Sequence, residues 1–411
     1  MAEKFKAPRG TFDVLPEQAA QRERLLNAAR EIFGLAGYRM IVTPAFEDTA
    51  LFERGVGKST DIVRKEMFTF EDKGERSLTL RPEGTASICR AYIEHGMHKL
   101  PQPVKLFYAG PFFRHERPQA GRYRQFNQIG AEAIGSDSPL ADVEVITLIS
   151  DLVEELGVPG VELKLGSLGS LDARAAYLEE LKSHLRSRDE ELSGDVRERI
   201  EINPLRAFDS DHEGTRKVMA DAPVLLDFLS EEDAVHFETV KTNLNAASVE
   251  FTIDPTLVRG LDYYTRTIFS FVCDRLGAQS EIGGGGRYDG LIEQLGGPAT
   301  PAVGWAAGIE RILLALDEDV TSAGMDLFVV VPDPELTTKA VALVSELRHH
   351  GLAVEMDLAG RSVKGQFKQA DRVGAAHTLI LEPGATASLK NMETGDQQTV
   401  DPKDVANLIR P

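Results

Sequence analysis

Cysteine is scarce: Cys89 and Cys273 are the only two in 411 residues. They stand far apart with no second Cys or His at ligand spacing, which excludes a disulfide framework and a sequence-readable zinc site. A reducing cytoplasm is the expected compartment. No run approaches the ~18 apolar residues that a spanning helix needs. The opening MAEKFKAPRGTFDV carries no apolar segment of the secretory kind. The chain is therefore expected to be soluble, cytoplasmic and without a membrane partner. Basic residues are outnumbered, 46 Lys and Arg against 65 Asp and Glu, for a formal charge of −19. A field of that sign repels nucleic acid, so such a partner would need a local basic patch. Internal repeats and low-complexity segments are missing too. What is there is ordinary globular composition, 42% hydrophobic and 27% charged, in a length that suggests two or three domains.

Familiar phosphate motifs are also lacking. GVGKST at 55–60 imitates the end of a P-loop, but the glycine required six positions before Lys58 is Phe52, and no buried strand precedes it. The run Gly283 to Gly286 fails the dinucleotide pattern because Tyr288 takes the place of its final glycine.

Residues 16–37 begin with Pro16, place Leu25, Ala29, Ile32, Phe33 and Ala36 at helical spacing, and end at Gly37, which predicts an amphipathic helix. A strand is expected over YRMIVTP. VKLFYAGPFFRHE and RQFNQIGAEAIG, separated by RPQAGRY, predict an antiparallel hairpin over 104–135. Charge-rich helical sequence over about 172–250 reads as an inserted helical subdomain, followed by strand-like VEFTIDP and TIFSFVCD. Beyond a boundary near 322–326, strands alternate with helices of 10 to 15 residues, which predicts an α/β domain on a mostly parallel sheet over 326–411.

Chemistry concentrates at the hairpin. Residues 112–125 hold four arginines, 114, 117, 122 and 124, against Glu116, a local +3. Strand alternation puts Phe112, Arg114 and Glu116 on one face, and Phe126, Gln128, Gly130 and Glu132 on one face of the other strand. Arginine's planar fork suits phosphate, an aromatic ring suits a base, and a carboxylate suits a cationic or N–H-donating group. Together they would fit a nucleotide and an amino acid; the plain alternative is a solvated face laced with ion pairs. In AAGIERILLAL, 306–316, Ile309, Ile312, Leu313 and Leu316 form a buried stripe, leaving Arg311 in the opening turn, where an anion is favoured. LVRGLDYYTRTIF gathers Arg259, Asp262, Tyr263 and Tyr264, and SEIGGGGRYDGL lets backbone approach closely before Tyr288 and Asp289.

These segments together resemble the class II aminoacyl-tRNA synthetases and, within them, the histidine-specific family. TPAFEDTALFERGVGKSTDIVRKEMFTFED is similar to motif 1, FFRHERPQAGRYRQFNQIGAEAIG to motif 2 and AVGWAAGIERILLAL to motif 3, with the histidine signatures RGLDYYT and GGGRYDGL in the right order. The resemblance implies an α+β catalytic domain over 1–325 on an antiparallel sheet, bearing the helical insertion, and a C-terminal anticodon-binding domain. It implies activation of L-histidine with ATP and Mg2+, then transfer to tRNA(His), by a homodimer with no structural metal. Arg114, Arg259 and Arg311 match catalytic arginines. Arg114 and Arg311 also hold ATP phosphates, and Glu116 and Phe126 match the adenine site. Glu83, Thr85 and Gln128 match the α-amino site, and Glu132, Tyr264 and Tyr288 the imidazole pocket, with Tyr263 also among the histidine-binding residues. Gln119 and Arg122 lie in the loop expected to meet the tRNA acceptor end. Arg361, Lys364, Lys368 and Arg372 recur at spacings of three and four and are expected to form a basic helix stripe near the anticodon. The alternative is a histidine-sensing regulatory paralogue of ATP phosphoribosyltransferase without charging activity.

Overall fold

Two helix-forming signals in the sequence place the first layer of the molecule. Pro16 opens the helix Pro16–Leu35, and Gly37 follows it at φ +81, a left-handed conformation that suits glycine. Pro139 opens the helix Pro139–Glu155, where the Ser138 side chain accepts from the Leu140 N–H. The computed structural model describes residues 4–57, 60–277, 280–316 and 324–409, so Lys58 lies outside the described residues. The chain divides into two units, Met1–Glu318 and Asp319–Pro411.

Among the described residues the larger unit has strands β1 (Arg39–Met40), β2 (Phe46–Asp48), β3 (Phe68–Glu71), β4 (Ser77–Leu80), β5 (Val104–Phe113), β6 (Gln125–Ile134), β7 (Val161–Ser167), β8 (Thr252–Ile253), β9 (Thr265–Cys273), β10 (Glu281–Arg287) and β11 (Ala302–Gly308). Eight form one sheet in the order β1-β5-β6-β11-β10-β9-β7-β8. It is antiparallel except for the edge pairs β1 with β5 and β7 with β8. β2, β4 and β3 make a small antiparallel sheet.

Alternation separates the two faces of the large sheet. Ile129, Ala131 and Ala133 of β6, with Phe107, Val303 and Trp305 of its neighbours, face a core built with the helices Pro16–Leu35, Pro139–Glu155 and Glu231–Ala246. Leu25, Ala29 and Phe33, spaced by four, are the fully buried stripe of the first of these. Removing a Leu or Phe side chain from water contributes about 1.5–3 kcal/mol, so this stripe fixes the helix where its own propensity would not. The opposite face holds the candidate site.

Several expectations need correction. The strand expected over YRMIVTP is only Arg39–Met40, and that over VEFTIDP only Thr252–Ile253. Both lie at sheet edges with a single neighbour, and Pro44 and Pro255, which cannot donate to a ladder, follow closely. The helices predicted over 172–250 form, including Leu171–Ser187 and Glu231–Ala246, and they pack into the cores of the larger unit. Phe237, Val240 and Leu244 belong to the first core, whereas Tyr177, Leu181 and Leu185 share a second with Tyr263, Tyr264 and Tyr288.

In the smaller unit β12 (Leu327–Val330), β13 (Val354–Met356), β14 (His377–Leu381), β15 (Ala387–Asn391) and β16 (Gln397–Val400) are ordered β13-β12-β14-β15-β16. The first three are parallel as predicted, but β15 and β16 add antiparallel, so the sheet is mixed rather than mostly parallel. The final strand, QQTV, buries only Val400 and carries no apolar alternation to betray it.

Candidate active site

The site begins as a bare patch of sheet. Level with Gln128, Gly130 and Glu132 on β6 stand Gly110, Tyr108 and Leu106 on β5, and Gly308, Ala306 and Gly304 on β11. Gly284 and Gly286 of β10 continue the row. Directly opposed residues share a face, so glycines surround the few side chains at the centre of this face. The glycines make room for charge: a β-carbon at Gly304 would lie 1.6 Å from Glu132 Oε2, and one at Gly284 2.7 Å from Arg259 Nη1.

Around that floor the predicted pocket residues assemble. Glu83 follows β4 and caps the helix Thr85–Glu94, its carboxylate accepting from the N–H groups of Thr85 at 2.8 Å and Ala86 at 2.9 Å. It is not paired with Arg81, which instead donates to the carbonyls of Pro111 and Thr43 and lies over the Phe112 ring. Thr85 Oγ1 donates to Glu132 Oε1 at 2.9 Å and Tyr288 Oη to Glu132 Oε2 at 2.5 Å. Glu132 is wholly buried, which disposes of the solvated-face alternative. Burial pushes its carboxyl up to about 8, against the lowering effect of the two hydroxyl donors, and the nearby Glu83 charge adds to the rise. Tyr263 packs on Tyr264 at 4.7 Å between ring centroids and on Tyr288 at 5.7 Å. Gln128 presents a buried Oε1 with no hydrogen-bond partner among the described residues.

The three arginines come from three elements. Arg114 and Glu116 lie beyond the end of β5 at Phe113, not within a strand as expected, although the Arg114 N–H still donates to the Arg124 carbonyl at 2.9 Å. Arg114 donates through Nε to the Pro82 carbonyl at 2.9 Å, and its guanidinium lies 5.3 Å from the Phe126 ring centroid. Glu116 stands 3.8 Å from Arg114 and 3.5 Å from Arg122. Arg259 pairs with Glu281 at 2.8 Å and lies over Tyr264. Arg311, in the first turn of Ile309–Leu316 as predicted, donates to the Glu281 carbonyl at 2.5 Å. The stretch from Glu281 thus ties Arg259 and Arg311 to one place.

Gln119 and Arg122 exchange backbone hydrogen bonds at 3.1 and 2.9 Å and form an exposed loop tip. In the smaller unit Lys364, Lys368 and Arg372 are exposed along the helix Val363–Arg372. Arg361 is not on that helix: Ser362 is the cap, and Arg361 pairs with Asp357 at 2.6 Å. Among the described residues no three His, Cys, Asp or Glu side chains gather as a metal site, and no helix is long and apolar enough to cross a membrane.

Sequence reading missed four contributors. Tyr108 lies on the site face, a position its strand register assigns but its apolar neighbours disguise. Glu281 is the partner of Arg259, and nothing in its flanks marks it. Glu310 accepts from both the backbone N–H and the side-chain amide of Asn127, pinning the helix of Arg311 to β6. Gly10 accepts through its carbonyl from Arg124 N–H at 2.7 Å, and Phe12 packs on Tyr123 at 4.5 Å, so the N-terminal segment braces the arginine-rich loop. A buried ion pair supports the pocket from behind. Arg287, fully buried, bonds Asp142 and the carbonyls of Ser136 and Ser138, and so fixes the end of β10, which Tyr288 follows.

Known proteins match this arrangement along the whole chain. A family model described as histidyl-tRNA synthetase matches residues 10–312, and one described as an anticodon binding domain matches 326–411. A protein of Rubrobacter xylanophilus named histidine–tRNA ligase is 46% identical over 420 residues, covering 98% of this chain and 99% of its own length. One of Nocardia farcinica, with the same name, is 48% identical over 418 residues, covering 99% and 98%. Among solved structures, that of apo histidyl-tRNA synthetase from S. aureus is 38% identical with a TM-score of 0.84, covering 99% of this chain and 100% of its own. With its glycine-floored sheet, its buried carboxylates and its three convergent arginines, the chain belongs to the histidyl-tRNA synthetase family.

Proposed function

We propose that this protein activates L-histidine with ATP to histidyl-adenylate and pyrophosphate, then transfers the histidyl group to the 3′-terminal adenosine of tRNA(His). The observation that carries this reading is the convergence, on one glycine-rich sheet face, of a buried carboxylate with hydroxyl partners and three arginines from separate elements. A histidine sensor would need the carboxylate pocket but not the arginines, so the regulatory alternative is not favoured.

In this reading a histidine carboxylate oxygen attacks the α-phosphorus of ATP, a new O–P bond forms, and the bond to pyrophosphate breaks. Negative charge accumulates on the phosphoryl oxygens, and the fixed charges of Arg114 and Arg259 stabilise it without moving a proton. Arg311 holds the polyphosphate, Glu116 accepts from the adenine amine, and Phe126 offers its ring to the base. Mg2+ accompanies the ATP phosphates and neutralises part of their charge. Glu132, held by the Tyr288 hydroxyl, accepts from one imidazole N–H, and the hydroxyl of Tyr264 serves the other nitrogen, with Tyr263 packed against both tyrosines. Glu83, Thr85 and Gln128 hold the α-amino end. A pocket of such buried polar groups rejects amino acids that lack their partners by roughly 10⁴–10⁵. In the second step a ribose hydroxyl of the tRNA attacks the histidyl carbonyl and AMP leaves. Gln119 and Arg122 at the loop tip meet the acceptor end, and Arg361, Lys364, Lys368 and Arg372 meet phosphates near the anticodon. A cytoplasmic homodimer completes the proposal.

Histidine-dependent ATP–pyrophosphate exchange by the purified protein tests this reading, with tRNA charging as a second readout. Wild type is expected to perform both reactions, and Arg259→His to lose at least about 100-fold in each. Histidine binding without exchange by the wild type would replace the synthetase with a sensor.

A further inference from the structure

On the site face two buried oxygens have no hydrogen-bond partner among the described residues: Gln128 Oε1 and the Tyr108 hydroxyl. A buried polar group left unpaired destabilises the fold, and such groups are rare outside functional sites. Tyr108 is 6% exposed, and its ring rests against backbone at two points. A β-carbon at Gly130 would lie 2.5 Å from its Oη, and one at Gly84 2.8 Å. Two positions therefore do without side chains so that this phenol can reach between them. One is next to Glu83, and the other lies between Gln128 and Glu132 on β6. The hydroxyl thus occupies the corner where the α-amino end of the substrate is proposed to sit.

The chemistry of that corner selects its ligand. Gln128 Oε1 is an acceptor, Glu83 is a carboxylate whose two oxygens each keep a free lone pair after the backbone contacts, and the phenol has its own lone pairs. Burial, then the charges of Glu132 and Glu83, push the Tyr108 phenol well above its ordinary range, so it stays a neutral hydroxyl. Three acceptors, the Tyr108 hydroxyl beside Gly84, the Glu83 carboxylate and Gln128, two residues before Gly130 in the strand row, match a group with three N–H donors and a positive charge.

We propose that Tyr108 is a specificity-determining residue whose hydroxyl accepts a hydrogen bond from the α-ammonium group of the bound amino acid. The inference rests on the reading of this pocket as the histidine site. It adds to Glu83, Thr85 and Gln128 a contact that no sequence motif marks.

The test uses the full-length protein and Tyr108→Phe, which keeps the ring on Gly84 and Gly130 and removes only the oxygen. Exchange gives KM and turnover for histidine, and 3-(imidazol-4-yl)propanoate, which lacks the amine, serves as a competing inhibitor. Loss of one hydrogen bond to a charged group should raise KM for histidine about 10- to 100-fold. Turnover at saturating histidine should fall by less than about threefold, and the inhibition constant of the amine-free analogue should not move. Because the removed hydroxyl has no protein partner, the thermal midpoint should hold or rise. An unmoved KM, a parallel weakening of both ligands, or a midpoint lowered by several degrees would each overturn the assignment. A wild type without histidine-dependent exchange would remove the histidine-site reading and this inference together, whereas an active wild type beside an unaltered variant removes this inference alone.

Discussion

Glu132 is held by hydroxyls and not by a guanidinium, and that choice sets its titration. Two neutral donors cannot offset full burial, so the carboxyl ionises near 8 in the folded protein and near 4.3 in the unfolded chain. The folded state then binds the extra proton between those values, and stability falls as pH rises from about 4.5 to about 8. Glu132→Gln keeps the shape and does not titrate. Denaturant unfolding of the two proteins at pH 5 and pH 8 should show the variant gaining on the wild type with rising pH, by on the order of a few kcal/mol. A difference that does not change with pH would mean that the carboxyl ionises normally. The same property suits function: a ligand that brings an N–H donor or a positive charge restores the ionised carboxylate, so binding itself changes the protonation of the site. Arg259 differs in kind, because it pairs with the carboxylate of Glu281, which is 46% exposed. That carboxylate occupies a guanidinium edge which a phosphate would contact.

At the scale of elements, what was legible in the sequence followed from periodicity and what was not followed from register. The hairpin over 104–135, the helix at 16–35 and the helix bearing Arg311 could be read because apolar residues repeat at two or at three to four. The resemblance to motifs then supplied the pocket residues. Tyr108 could not be read, since only its pairing with Gly130 tells that it shares a face with Gln128 and Glu132. β2 to β4 are each three or four residues long, below the span at which alternation is persuasive. Arg361 fell within the spacing of the basic stripe, yet the Ser362 cap starts the helix after it. The glycine floor yields a prediction of its own. Gly304→Ala places a methyl 1.6 Å from Glu132 Oε2 and 2.6 Å from the Ala131 carbonyl, and backbone on that side cannot move as a side-chain tip would. Overpacking of this kind costs about 1–3 kcal/mol. Exchange should drop by at least about 100-fold through displaced Glu132, with a modest fall in thermal midpoint. Near-normal exchange would show that Glu132 does not need the space Gly304 leaves.

At the scale of the whole molecule, the two units have separate cores. Among the described residues Leu327, Val329, Leu343, Leu347, Leu379 and Leu389 form the main apolar cluster of the smaller unit. The adenylate chemistry proposed above uses only groups of the larger unit, whereas the basic stripe lies wholly in the smaller. Its three helix positions repeat every four residues, which sets Lys364, Lys368 and Arg372 along one exposed line. The chain as a whole carries −19, so tRNA phosphates can be met only by local patches, and each phosphate contact releases counterions. Replacing both Lys364 and Lys368 with Glu should therefore weaken tRNA binding and charging and flatten the salt dependence of binding by about two contacts. ATP–pyrophosphate exchange should persist, because no adenylate group is touched. The measurement is tRNA affinity across a salt series beside exchange on the same preparation. Unchanged affinity would discard the stripe as a tRNA contact, and loss of exchange would mean that the smaller unit acts on the adenylate site as well as on tRNA.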